Sequence, residues 1–174
     1  MLPSTAGRTT MCPTELMYDS GKEPCIELLP IETRETDTGI GDYKRFPAEW
    51  TCLPLDIDSP DAMQETLRSV SEVRRVSREA AARLGFGEEG EHAANADVDG
   101  LVEIPRWRHA VINYPHPLLQ QGLVILDTPG LNALGLEPEL TLSFLPEAHA
   151  LLFVLSAECG VTASDFAIWN NHVR

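Results

Sequence analysis

Leu123-Val124-Ile125-Leu126-Asp127-Thr128-Pro129-Gly130 is the stretch on which the reading of this chain turns. Four apolar residues in a row predict a strand covered on both faces, as strands of a parallel sheet are. An acid and a Pro-Gly turn end it at once. In an open α/β sheet, ligands sit outside the carboxyl ends of the strands, so Asp127 is expected to emerge where phosphates and a metal would lie. A carboxylate suits Mg2+, a hard cation that takes oxygen ligands and keeps several waters. Gly130 lets a backbone N–H approach a terminal phosphate without a Cβ in the way. The same residues also make an ordinary turn in which the aspartate bonds its own backbone. That plainer reading stands beside the first.

Working outward, Ala150-Leu151-Leu152-Phe153-Val154-Leu155 is a second apolar run, expected to be another buried strand. Between the two runs, Leu136 to Ala148 reads as a helix with Leu140, Phe144 and Leu145 toward the sheet. Thr162 to Val173 reads as a further helix, with Thr162 or Ser164 as cap and Phe166, Ile168 and Trp169 as core candidates. Strand, helix, strand, helix in this order implies a right-handed βαβ unit. Upstream, Trp107 to Tyr114 reads as a strand broken by Pro115-His116-Pro117, with Trp107 in the core. A helix is expected from about Ser59 to Gly85. Ser59 is its cap and Pro60 its first residue, Met63, Leu67, Val70, Val73, Ala80 and Leu84 recur at helical spacing, and Gly85 and Gly87 end it. The arginines on this segment (Arg68, Arg74, Arg75, Arg78, Arg83) alternate with Glu65, Glu72 and Glu79, the pattern of a solvated, salt-bridged face. Gly87 to Gly100 reads as an acidic surface loop. Thr36 to Trp50 reads as a loop or irregular connection. Thr14 to Thr33 reads as two strands joined by a hairpin-like turn, with Gly21 able to take a positive φ.

Composition narrows the function. Lys and Arg number 13 against 27 Asp plus Glu in 174 residues, a formal net charge of -14. Nucleic-acid binding draws mainly on Lys and Arg, so no nucleic-acid partner is expected, and general attraction to anionic lipid is disfavoured. The longest apolar run falls far short of the ~20 residues of a spanning helix. The N-terminal residues do not form a signal peptide, and a cytoplasmic location is expected. Cys12, Cys25, Cys52 and Cys159 are scattered without a C-x-x-C pair, so reduced thiols are expected and a zinc or redox motif has no support. His109, His116 and His149 match no zinc spacing and are read as packing or surface residues.

Asp127-Thr128-Pro129-Gly130 after an apolar strand resembles the D-x-x-G box of the P-loop GTPases. Its surroundings look like the dynamin superfamily, especially the bacterial dynamin-like proteins. Asn113-Tyr114-Pro115-His116 leading into Gly122 to Asp127 resembles the strand, break and next strand of that family's GTPase domain. Leu155-Ser156-Ala157-Glu158-Cys159-Gly160-Val161-Thr162-Ala163-Ser164-Asp165 resembles the strand and loop that follow. Leu2-Pro3 to Arg8-Thr9-Thr10-Met11-Cys12-Pro13-Thr14 looks like the first switch loop. By this resemblance Thr10 would place its hydroxyl on Mg2+ and its backbone on the γ-phosphate or attacking water, with Thr9 in that role if the register is one off. Asp127 would hold Mg2+ through water, Thr128 and Pro129 would complete the turn at the nucleotide, and Gly130 would sense the γ-phosphate. A different GTPase family sharing the D-x-P-G box remains an alternative.

The resemblance implies an α/β fold, an incomplete dynamin-type P-loop GTPase domain with a mostly parallel sheet and a helical insertion. Residues 1–34 would hold the first switch loop and its strands, 35–106 the insertion, and 107–174 the strands and helices around the D-x-P-G box. No G-x-x-x-x-G-K-[ST] occurs, the only lysines are Lys22 and Lys44, and no Lys-x-Asp guanine box is present. The chain is therefore expected to be an internal slice of a larger GTPase, marginal in stability and a poor catalyst by itself. GTP binding and hydrolysis with Mg2+, self-association through this domain, and membrane remodelling through lipid-binding segments outside this sequence are the implied functions. A non-catalytic interaction module of the same fold is the alternative.

Overall fold

Trp107–Asn113 includes Val111 and Ile112, β-branched residues suited to a pleated backbone, and it becomes the middle strand of a five-stranded sheet. The structure, a computed structural model, describes residues 12–86, 100–128, 148–152, 160–161, 166 and 169–170. Its strands in chain order are β1 (Thr14–Met17), β2 (Cys25–Pro30), β3 (Thr51–Pro54), β4 (Val73–Ser77), β5 (Leu101–Pro105), β6 (Trp107–Asn113) and β7 (Ile125–Asp127). The α-helices are α1 (Ile40–Tyr43), α2 (Pro60–Arg68) and α3 (Arg78–Arg83). No helix among the described residues is long and apolar enough to cross a membrane.

The main sheet runs β3-β2-β6-β1-β7, and β4 pairs with β5 in a separate ribbon. Only β1 and β6 are parallel; β2–β3, β2–β6 and β1–β7 are antiparallel. The expected mostly parallel sheet is thus corrected to a mixed one among the described strands. The expected hairpin of β1 and β2 is corrected too, because β6 lies between them. The connection 18–24 is long enough to step across two inter-strand spacings, roughly 10 Å. Asn113 at the end of β6 fills it. The Asn113 side chain accepts from the Asp19 N–H at 2.8 Å and donates toward the carbonyls of Asp19, Lys22 and Glu23. Gly21 keeps an ordinary φ and donates its N–H to the Asp19 carboxylate at 2.8 Å.

The long helix expected over 59–85 begins as read: Ser59 accepts from the Ala62 N–H and Pro60 is the first residue. It ends at Arg68, and β4 follows a single 3-10 turn. Apolar residues three apart fit a strand partly as well as a helix. The Val73 to Ser77 stretch takes the strand form because β5 supplies a partner, with Arg74 opposite Ile104 and Val76 opposite Val102. No local window of sequence contains that partner. Ser77 then switches the backbone, accepting from the Ala80 N–H at 3.2 Å as the cap of α3. Gly85, at φ +82, closes that helix while the Phe86 N–H reaches back to the Ala81 carbonyl. Ser77→Ala is expected to cost about 1 kcal/mol, read as a lower denaturant midpoint at unchanged slope.

Strand alternation divides the apolar residues between the two sheet faces. Ile26, Leu28, Ala110 and Ile112 point to one side, where Met63 and Leu67 of α2 and Val70 cover them together with Trp107. Leu29 points to the other, under Ile40, Tyr43 and Trp50. A third cluster joins Val76, Val102 and Ile104 of the ribbon to Ala81 and Leu84 of α3, with Ile31 and Phe86. Trp107 is buried as expected, its indole N–H donating to the Ser69 carbonyl at 2.7 Å.

The two apolar runs depart from expectation. Only Ile125–Asp127 forms a strand in the first; it lies at the edge of the sheet among the described strands, and Leu123, Val124 and Ile125 are 45–53% exposed. Among the described residues no layer packs over this segment, so the two-face burial inferred from composition is not seen there. In the second run, Leu151 and Leu152 lie outside any strand and Leu152 is 87% exposed. Phe166 and Trp169, read as core, are exposed as well. Helical spacing marks a face but does not supply the layer it would pack on. The rest of the expected βαβ unit, and the acidic loop at 87–99, lie outside the described residues.

Candidate functional site

β7 ends on Asp127, and the antiparallel register sets Asp127 opposite Thr14, the first residue of β1. The carboxylate therefore stands at the sheet edge where the chain enters β1, not at the carboxyl end of a parallel array. Asp127 and Thr128 are half-buried. Thr14 is buried, and its hydroxyl donates to the Cys12 carbonyl at 3.1 Å, fixing the entry into β1. The Cys12 thiol lies 3.7 Å from the Val70 carbonyl. Burial pushes that thiol up to about 12, against a smaller opposing effect of Thr14, so it remains a neutral packing group.

Of the residues read as a site, the structure describes Asp127 and Thr128; Thr9, Thr10, Pro129 and Gly130 lie outside the described residues. Among the described residues, no group of three or more His, Cys, Asp and Glu is placed to hold a metal ion. Oxygen donors in addition to Asp127 would thus be water, nucleotide or residues outside that set.

Sequence reading missed the charged cluster one residue farther along β1. Glu15 pairs with Val111, which puts it on the same sheet face as His109. Its carboxylate meets His109 Nε2 at 3.0 Å and receives Lys44 Nζ at 2.6 and 2.9 Å. His109 is fully buried, with Trp50 edge-on at 6.2 Å between ring centroids. Burial raises the Glu15 carboxyl, but the hydrogen bonds and electrostatic pull of His109 and Lys44 outweigh it and hold the pKa down at about 2. An imidazole with no solvent exposure cannot reach a substrate, so this cluster fixes β1 against β6 beside the Asp127 edge. The only local signal was an acid in β1 and a histidine in β6, each next to an apolar residue on its strand.

A family model described as the dynamin family matches residues 1–174. A bacterial dynamin-like protein of Nostoc punctiforme is 38% identical over 66 residues, a match covering 38% of this chain and 10% of that protein. The match thus spans about a tenth of the length of that relative.

Proposed function

Because this chain belongs to the dynamin family, we propose that it forms part of a domain that binds GTP with Mg2+ and hydrolyses it, Asp127 being the carboxylate that orients the metal through water. The register of Thr14 with Asp127 carries this reading. Thr10 precedes Thr14 by four residues in the sequence, a span short enough for a switch threonine to reach the strand edge on which Asp127 stands. A half-exposed carboxylate at a strand end suits a hard cation that retains most of its waters. The bound ion would neutralise charge on the β- and γ-phosphates, as in other phosphoryl transfers. Asp127 would accept from the metal-bound waters and so fix the ion's position. Thr10 would offer its hydroxyl to the metal and its carbonyl to the attacking water, with Thr9 as the alternative. Thr128 and Pro129 would shape the turn that aims the Gly130 N–H at the γ-phosphate. Catalysis of this kind is positioning and charge stabilisation more than covalent chemistry.

Self-association through this domain, action on membranes and a cytoplasmic location concern the intact protein and form part of the same proposal. Asp127→Asn in the intact protein tests its centre. A carboxylate acting through water is worth about 10–100-fold in metal affinity or activity. Turnover of GTP at limiting Mg2+ should fall by that factor, and higher Mg2+ should restore part of it. An unchanged Mg2+ titration would remove Asp127 from the site.

A further inference from the structure

Cys25 and Cys52 are distant in sequence, and no spacing motif marks them as partners. The register of β2 with β3 puts Cys25 opposite Pro54 and Cys52 opposite Glu27. Residues two apart share a face, so both thiols stand on one side of the sheet as diagonal neighbours on adjacent strands. Diagonal Cα atoms in such a ladder lie about 7–8 Å apart with Cβ atoms nearer, just beyond the reach of a disulfide unless the backbone shifts by about 1 Å. β3 can supply that movement: it is an edge strand that pairs only with β2 among the described strands, over four mostly exposed residues. Cys25 is buried while Cys52 is exposed, which gives the pair one accessible member and one sheltered member. The two sulfurs also influence one another. Burial first, and then the neighbouring Cys52 thiol, push the Cys25 thiol up to about 12.

We propose that Cys25 and Cys52 are a reversible redox pair, closing a disulfide that staples the edge strand β3 to β2 when the protein meets a disulfide oxidant such as oxidised glutathione. The exposed Cys52 thiolate attacks one sulfur of the oxidant, whose S–S bond breaks to release one reduced thiol. Cys25 then loses its proton to solvent, and its sulfur attacks the Cys52 sulfur of the mixed disulfide, expelling the second reduced thiol. The two protein thiols lose two electrons and two protons, and the oxidant leaves as two thiols. Once Cys52 is in the mixed disulfide, its share of the Cys25 shift disappears, leaving burial and the nearby Glu27 carboxylate to oppose the closing step. Closure is therefore faster as pH rises, because attack needs the thiolate. The staple would fasten the segment between β2 and β3, including α1 and Trp50, over the Glu15 and His109 cluster. Cys12 takes no part, being buried with the residues of the opposite face.

Reduced full-length protein is incubated in glutathione buffers of graded redox potential, quenched with acid and alkylated. Its disulfides are then mapped by mass spectrometry. The expected product is an intramolecular Cys25–Cys52 link that dithiothreitol reverses, accompanied by a thermal midpoint several degrees higher. In Cys25→Ser, glutathione should instead remain on Cys52, and in Cys52→Ser, Cys25 should stay reduced. Persistent glutathione on Cys52 in the unsubstituted protein would overturn the pairing, as would a link from Cys52 to Cys159 or to a second molecule. The mapping needs no variant, so a variant that fails to fold leaves the proposal testable. It is also independent of GTP turnover.

Discussion

Glu15→Ala is expected to destabilise the protein by about 3–5 kcal/mol, the usual consequence of removing one member of a buried charged set. The loss comes less from the missing attraction than from what stays behind. His109 is fully buried and would keep its ring in place with the carboxylate gone, while Lys44, 43% exposed at its side chain, can turn to water. Lys44→Ala should therefore cost much less than Glu15→Ala, as exposed ion-pair partners do. The same carboxylate sets an acid limit. Its folded pKa of about 2 lies below the ordinary value of 4.5, so its contribution is fully present above pH 4.5 and is lost as pH falls toward 2. The shift corresponds to at most about 3–4 kcal/mol. Urea unfolding at pH 7 and pH 3 measures it. Glu15→Gln keeps the volume but cannot titrate, and its stability should change less between those two pH values than that of the unsubstituted protein. Equal changes in both would show that other carboxylates govern acid unfolding.

Asn113→Ala is expected to cost about 2–3 kcal/mol, because it strips one acceptor and a shared amide donor from the connection between β1 and β2. Four backbone groups on Asp19, Lys22 and Glu23 meet this one side chain. Water can rehydrate some of them, since the turn is partly exposed, and this keeps the figure below a full sum. Asn113→Asp separates the two roles. It retains an acceptor for the Asp19 N–H but sets a negative charge against three carbonyl oxygens, so it should be at least as damaging as alanine. Hydrogen exchange at the Asp19 amide would localise the effect. An Asp variant as stable as the parent would mean that the carbonyl contacts contribute nothing.

Both residues were legible as strand residues and illegible as partners. Asn113 was read only as part of a strand before a proline break, and Glu15 fell without comment in the first strand of an expected hairpin. Each gains its role from β6 being inserted between β1 and β2, a pairing between segments more than 80 residues apart in the chain. The same holds for Cys25 and Cys52, which a motif search passes over because the β2–β3 register, not spacing, makes them neighbours. At 59–85, the cap residues marked the start of α2 correctly because capping is a local hydrogen bond. Its end was misplaced because β5 competes for the backbone from outside the window.

From the sequence alone came what depends on contiguous residues: the D-x-P-G motif after an apolar run, the dynamin-family resemblance, the Ser59-Pro60 helix start, and the strand read over Trp107 to Tyr114 with its proline stop. These are short-range properties, fixed by dihedral preference, capping and side-chain size within a few residues. Tertiary structure decided the mixed strand order, the placing of Asp127 beside Thr14, the exposure of the Leu123 to Ile125 edge, and the burial of Glu15 with His109. Burial and register are relations between distant segments. A residue's neighbours across a sheet are settled only when the whole set of strands finds its lowest free energy together.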